Sequence, residues 1–320
     1  MKNKPIIIVA GEPKSIFFEI FFKSLKKKIL KSPLILICSL SILQRQMKLL
    51  NFKKKIKLIN IKEIHEVKFD IYAINLINVE LNQNRKFKND MLIRKYIKKC
   101  FDISFFLIKN KIASKLINGP IKKSSFLNRK YLGMTEYISS NFNSNNTGML
   151  IYNKSLSVCP LTTHLPLKLV SKKITKKLIM DKLKLINKFY KKIFKFYPKI
   201  GVTGLNPHCE SILKYNEDVK IINPTIKLAK KNGIFVSGPY AADTIFLKQN
   251  RKRFDVILGM YHDQVLTPLK TLYEYNAINV TMGLPFLRVS PDHGPNEKMV
   301  NKNLSNPISL YKALEFLDKN

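Results

Sequence analysis

Apolar and polar positions along the chain alternate between two kinds of segment. Residues 6–10 read Ile-Ile-Ile-Val-Ala, a β-branched run closed by Gly11-Glu12-Pro13. A run with no polar face fits a strand buried on both sides of a parallel sheet. The pattern predicts a helix over 15–30 and a second buried strand over 34–38. An extended segment over 71–79, a helix over 90–108 and a strand over 113–118 follow, the last stopped by Gly119-Pro120. Residues 139–147, polar and Asn-rich, read as a loop. Residues 149–152 and 155–161 read as strands joined by a tight turn at Asn153-Lys154.

Between 170 and 197 the apolar residues Ile179, Leu183, Ile186, Tyr190 and Ile193 recur every three or four positions, with Lys between them. That stripe predicts one amphipathic helix docked on a sheet. Strands are predicted over 201–205, 234–237 and 255–260, and a helix over 223–232. Ser305 and Pro307 fit the cap and first turn of a C-terminal helix reaching about residue 317. Strands alternating with helices predict an α/β fold with a mostly parallel sheet.

Composition narrows the class. The chain has 320 residues and is 45% hydrophobic, which suits a packed core and excludes wholesale disorder. That length exceeds what one core usually serves, so two α/β lobes are expected. Cys38, Cys100, Cys159 and Cys209 are scattered without a CxxC. They provide no zinc knuckle or redox motif and suit a reducing, cytoplasmic setting. The apolar run near Lys2 and Lys4 is too short for a signal segment, and the longest apolar stretch, 33–43, is too short for a membrane span. No membrane partner is expected.

The net charge of +37 raises a nucleic-acid reading. The basic residues, however, are 51 Lys against seven Arg. Base readout favours the planar Arg fork, whereas Lys is a point charge. Abundant Lys, Ile and Asn share A/T-rich codons, so the excess matches a compositional bias. A basic nucleic-acid-binding protein stays as the alternative from another class, but no nucleic-acid partner is expected. A basic surface would also steer small anions.

Histidine carries more information. The chain has five, and three follow predicted strands: His164 in Thr162-Thr-His-Leu-Pro166, His208 in Gly204-Leu-Asn-Pro-His208, and His262 in Tyr261-His-Asp-Gln264. Open α/β sheets hold ligands outside the carboxyl ends of their strands. Three neutral imidazoles can form the shell of a catalytic divalent ion with open positions, although three loop histidines without metal fit the placement equally. Their sequence separations exclude a local finger or helix motif, so tertiary or quaternary structure would assemble the site. Asp263 and Asp243 can relay a proton, support a ligand or merely cap a helix. Lys270, Asn279, Arg288, Asp292 and His293 add polar groups in a Gly- and Pro-rich stretch. An Arg kept in a Lys-dominated chain fits bidentate recognition of phosphate or carboxylate, or an ordinary ion pair. No GxGxxG follows any strand, so the usual dinucleotide fingerprint is absent and no cofactor-binding residue is assigned.

Taken in order, these motifs carry a family resemblance. Gly-Glu-Pro (11–13), Asn-Gly-Pro-Ile-Lys-Lys (118–123), Thr-Glu (135–136) and Thr-Thr-His-Leu-Pro-Leu (162–167) come first. Gly-Leu-Asn-Pro-His (204–208), Ala-Asp-Thr-Ile-Phe (242–246), Met-Tyr-His-Asp-Gln (260–264), Gly-Leu-Pro-Phe-Leu-Arg (283–288) and Asp-His-Gly (292–294) follow. In this order and spacing the chain resembles the 4-hydroxythreonine-4-phosphate dehydrogenase (PdxA) family of vitamin B6 biosynthesis. The resemblance implies a two-lobed α/β/α fold like that of isocitrate and isopropylmalate dehydrogenases. The first lobe would span 1–118 plus about 250–320, and the second about 119–249.

The resemblance also implies a homodimer with active sites in the cleft and at the subunit interface. Metal ligands would be His164, His208 and His262, drawn from both subunits and holding one Zn, Mg or Co ion per site. Thr135, Lys270, Asn279 and Arg288 would contact substrate, while Asp243 or Asp263 would handle the proton. NAD or NADP would oxidise 4-(phosphooxy)-L-threonine, and loss of carbon dioxide would give 3-amino-2-oxopropyl phosphate for pyridoxal 5'-phosphate. A related dehydrogenase of another phosphorylated hydroxy acid, such as a four-carbon sugar-acid phosphate, is the near alternative. It draws on one departure: the family's Gly-His-Thr-Glu reads Gly133-Met-Thr-Glu136 here. A thioether cannot donate a hydrogen bond to phosphate as an imidazole can. The family's Gly-rich segment after the histidine reads Cys209-Glu-Ser-Ile-Leu213, and the Asn of its Gly-Pro-Ile-Asn-Lys is Lys122.

Overall fold

A computed structural model of the chain describes residues 4–27, 29–81, 90–122, 126–127, 131, 133–210, 216–291 and 294–320. Asp292 and His293 therefore lie outside the described residues, as do 211–215 after His208. The strands, in chain order, are β1 (Ile6–Val9), β2 (Leu34–Cys38), β3 (Ile56–Leu58), β4 (Ile74–Asn78), β5 (Lys115–Asn118), β6 (Gly148–Tyr152), β7 (Ser157–Pro160), β8 (Ile200–Thr203), β9 (Val236–Tyr240), β10 (Val256–Gly259), β11 (Ile278–Met282) and β12 (Leu287–Pro291). The longer helices are α1 (Phe17–Leu25), α2 (Leu40–Leu49), α3 (Asp90–Lys109), α4 (Met134–Ser140), α5 (Lys176–Phe194), α6 (Asn223–Lys231), α7 (His262–Tyr273) and α8 (Ile308–Lys319).

The chain divides into two compact units, one of residues 1–141 with 285–320 and one of 142–284. Both crossings differ from the sequence expectation of about 118 and 250. Gly119-Pro120 ends a strand without ending a unit, because Phe126 and Tyr137 pack on Phe101 of α3, with ring centroids 5.8 and 5.6 Å from it. Residues 250–284 stay with the second unit because β10 pairs with β7 and β8, and β11 pairs with β6.

In the first unit the strand order is β3-β4-β2-β1-β5-β12, with all five neighbouring pairs parallel. β1 and β2 are buried along their whole length, as their unbroken apolar runs require. Phe17 and Phe21 of α1 and Phe101 of α3 are among the largest fully buried side chains. α1 also packs on α8. Ser305 does not cap α8, since its N–H and hydroxyl both go to the buried Glu19 carboxylate, the hydroxyl at 2.9 Å. Lys23 closes that cluster, 2.8 Å from Glu19 and donating to the carbonyls of Asn303 and Ser305.

In the second unit the order is β11-β6-β7-β10-β8-β9. The pairs β11–β6 and β6–β7 are antiparallel, whereas β7, β10, β8 and β9 run parallel to one another. A core of Ile151, Val158, Ile257, Val265, Leu266 and Leu269 joins β6, β7 and β10 to α7. The helix predicted from 170 onward is broken: after a short turn at Val170–Lys173, Ile174 is extended and Thr175 caps α5, its hydroxyl accepting the Leu178 N–H at 3.1 Å. A side-chain cap pins a helix start that periodicity alone cannot see. Ser139 and Ser140, expected in a loop, close α4, while the turn at Asn153 is held by its side-chain oxygen accepting from Ser155 N at 2.8 Å.

Candidate active site

The second unit brings three parallel strand ends together, and each leads within a few residues to one histidine. β7 runs into Thr162, two residues before His164. Thr162 lies against the end of β10, with its N–H and hydroxyl both donating to the Met260 carbonyl, at 3.3 and 2.8 Å. β10 ends at Gly259, where a Cβ would collide with the Val265 side chain, so only glycine lets the first turn of α7 sit this close. His262 opens that turn.

His164 and His262 come within 6.2 Å between ring centroids. His262 Nδ1 lies 2.6 Å from Asp263 Oδ1. With Nδ1 held by a carboxylate, Nε2 is the nitrogen left to bind a cation, the usual way a carboxylate fixes tautomer and ring orientation. The Asp263 carboxylate is 80% exposed, and in the first turn of α7 its charge also suits the helix N-terminus.

His208 follows β8 in the turn Pro207–Cys209, with φ of 56°, and Cys209 has φ of 63°. Left-handed backbone at non-glycine residues costs roughly 1–2 kcal/mol each, so something must hold this turn. Buried Asp218 does: its carboxylate accepts the N–H of Leu205 at 2.7 Å and of Asn206 at 3.1 Å, and the Asn206 side chain at 2.8 Å. His208 is exposed. Among the described residues no three His, Cys, Asp or Glu side chains gather as a metal site, so one chain joins His164 to His262 without His208. Imidazole pairing with a carboxylate behind it is the donor chemistry a divalent ion takes, so these residues fit such an ion in part.

Asp243 is exposed in the first turn of the short helix Ala242–Ile245. Lys270 is exposed on α7. Asn279 on β11 donates to Met149 Sδ at 3.4 Å, while its buried Oδ1 has no hydrogen-bond partner. These belong to the second unit; Thr135 and Arg288 belong to the first. Thr135 sits on α4 beside Glu136, whose buried Oε2 also has no hydrogen-bond partner.

Arg288 on β12 is 2% exposed. Its Nε and Nη2 donate to one oxygen, Asn118 Oδ1 on β5, at 2.9 and 2.7 Å. Burial pulls the guanidinium down to about 10, against an opposing pull from Glu136. Asn118, Gln264 and Thr162 lie in the motifs above without an assigned role, and Asp218 lies in none of them. Their contacts span long stretches of sequence, and only the motif spelling marked the first three.

The mostly parallel α/β architecture is isocitrate-dehydrogenase-like in fold, and the relatives below make the chain a dehydrogenase-type oxidoreductase. The fold likeness extends to an isocitrate dehydrogenase from Methylococcus capsulatus, at a TM-score of 0.51 and 11% identity over 98% of this chain and 84% of that one. The model of the family described as "Pyridoxal phosphate biosynthetic protein PdxA" matches residues 30–317, and the chain belongs to that family. A 4-hydroxythreonine-4-phosphate dehydrogenase from Sulfurihydrogenibium sp. (strain YO3AOP1) is 36% identical over 97% of this chain and 96% of its own. A D-threonate 4-phosphate dehydrogenase from Pectobacterium atrosepticum is 30% identical over 91% of each chain. The crystal structure of a 4-hydroxythreonine-4-phosphate dehydrogenase from Klebsiella pneumoniae superposes with a TM-score of 0.84, at 26% identity over 98% of both chains. No helix among the described residues is long and apolar enough to cross a membrane.

Proposed function

We propose that the chain oxidises the secondary alcohol of 4-(phosphooxy)-L-threonine with NAD or NADP, and that the β-keto acid loses carbon dioxide to give 3-amino-2-oxopropyl phosphate. The observation that carries this reading is the carboxylate-oriented histidine pair at the ends of β7 and β10, in a chain of this family. His164 and His262 would hold one Zn, Mg or Co ion, with His208 of a second protomer completing the shell in a homodimer. Bound there, the ion would polarise the alcohol and stabilise charge after decarboxylation. The nicotinamide would accept the hydride.

The remaining roles follow from the chain's own residues. Asp263 is occupied in orienting His262, which leaves Asp243, exposed and free of that task, to take the hydroxyl proton. Arg288, buried and fixed by the Asn118 amide, would bind the substrate's phosphate or carboxylate. Lys270 would add a second cation, and the idle Asn279 Oδ1 an acceptor for the substrate ammonium. Thr135 would donate its hydroxyl to the phosphate.

Protein incubated with metal, NAD or NADP and 4-(phosphooxy)-L-threonine should reduce the nicotinamide. The same assay with D-threonate 4-phosphate tests the second reading, which Met134 favours by removing a donor from the family's Gly-His-Thr-Glu. Turnover of D-threonate 4-phosphate alone would replace the first substrate and spare the class. Turnover of neither would sink both.

A further inference from the structure

The Gln264 side chain makes three hydrogen bonds, and each is to the end of a strand that leads to a histidine. Its Oε1 accepts the Met260 N–H at 2.7 Å and the Thr203 hydroxyl at 2.8 Å, and its Nε2 donates to the Gly204 carbonyl at 2.7 Å. The amide cannot be reversed, because the Met260 N–H can only donate and the Gly204 carbonyl can only accept. Gln264 lies two residues past His262 on α7, and Gly204 lies four residues before His208. Met260 is also the residue whose carbonyl holds Thr162, two residues before His164.

We propose that Gln264 is a positioning residue: one side-chain amide sets the spacing of the strand ends that carry His208 and His262, with Thr162 tying in His164. The proposal rests on the metal-assisted reading above. The logic is chemical. Backbone groups just past the end of a strand have left the ladder, and each needs a partner. Here one planar amide satisfies them, so the spacing of the two chain segments is set by the reach of a Gln side chain. A shorter or apolar side chain would leave the Met260 N–H and the Gly204 carbonyl without these partners and free the ends of β8 and β10 to separate.

The test uses the full chain stripped of metal. Cobalt affinity is measured by calorimetry for the parent, Gln264→Leu, Thr203→Val and Thr203→Ser, alongside circular dichroism, thermal midpoints and kcat. Gln264→Leu should bind cobalt about 10–100-fold more weakly, the range for residues that orient metal ligands. Thr203→Val should lose part of that affinity, and Thr203→Ser, which keeps the hydroxyl, should retain it. A Gln264→Leu protein with a lower thermal midpoint but parental cobalt affinity would show a merely structural role and overturn the proposal. If that variant does not fold, parental affinity in Thr203→Val overturns it equally. A parent chain that binds no cobalt, and whose His208→Ala variant turns over normally, would instead bring down the metal reading itself.

Discussion

Arg288 pairs in register with Leu116 but reaches two residues along β5 to Asn118, where its Nε and Nη2 converge on the same amide oxygen, at 2.9 and 2.7 Å. That amide anchor fixes the plane and position of a buried guanidinium. Asn118→Asp should therefore hold Arg288 at least as firmly while competing with any bound phosphate. The expected outcome is a substrate KM raised about tenfold or more, with the thermal midpoint unchanged or higher. Asn118→Ala should instead lower stability by about 1–3 kcal/mol, the cost of a buried polar group left unmatched, read by urea unfolding.

The two candidate carboxylates should separate by phenotype. Asp263→Asn removes the acceptor behind His262, so metal affinity should fall about 10–100-fold. Asp243→Asn should leave metal affinity unchanged and lower kcat about 10²–10⁴-fold, the range for a lost general base. Calorimetry and steady-state kinetics on the two variants decide the assignment.

Glu12 is buried beside the end of β1, and that burial raises its pKa above the ordinary value; a 3.3 Å bond from the Lys122 N–H opposes the rise only in part. A raised carboxyl favours folding most below its unfolded value of 4.5, and loses that contribution as pH rises through the folded value. Glu12→Gln, neutral throughout, should be more stable than the parent at pH near 7.5, with the difference vanishing below about pH 4. Denaturant midpoints at the two pH values measure this.

Thiol labelling should sort the cysteines. Burial raises Cys38 strongly, Cys100 to about 12 and Cys159 to about 11, while Cys209 is half-buried and raised as well. Native protein treated with iodoacetamide at mildly alkaline pH should modify Cys209, slowly, and the other three only after unfolding. Peptide mass spectrometry reads the sites.

Glu19 ties α1 to the segment before α8 through Ser305 and Lys23. Glu19→Ala should cost about 1–3 kcal/mol, because it leaves the N–H and hydroxyl of buried Ser305 without their acceptor, while Lys23 keeps the carbonyls of Asn303 and Ser305. Hydrogen exchange should then quicken first in α8.

The fully apolar strands were legible because burial on both faces leaves no polar position to disguise them, as in β1 and β2. β11 and β12 were not. Thr281, Arg288 and Ser290 are buried there, and polar residues at core positions erase the hydrophobic signal. In β12 the polarity belongs to the anchor of Arg288. The site was legible as motif spelling and as histidines after strands. What no spacing announced was the pairing: Arg288 with Asn118, His164 with His262, and Gln264 with the ends of two strands. Each of these joins residues distant in sequence, so only the folded chain reveals it.

The return of residues 285–320 to the first unit sets an order of events on the ribosome. The second unit has all of its chain once residue 284 has been made, although it begins later. The first must wait for β12, which covers one edge of β5, and for α8, which packs on α1. Nascent chains therefore pass through a stage with a finished second unit and an unpaired parallel edge on the first, the kind of edge other strands can add to. A premature stop just past residue 284 would freeze that stage, removing Arg288 and the cover of β5 together, and its phenotype would be aggregation.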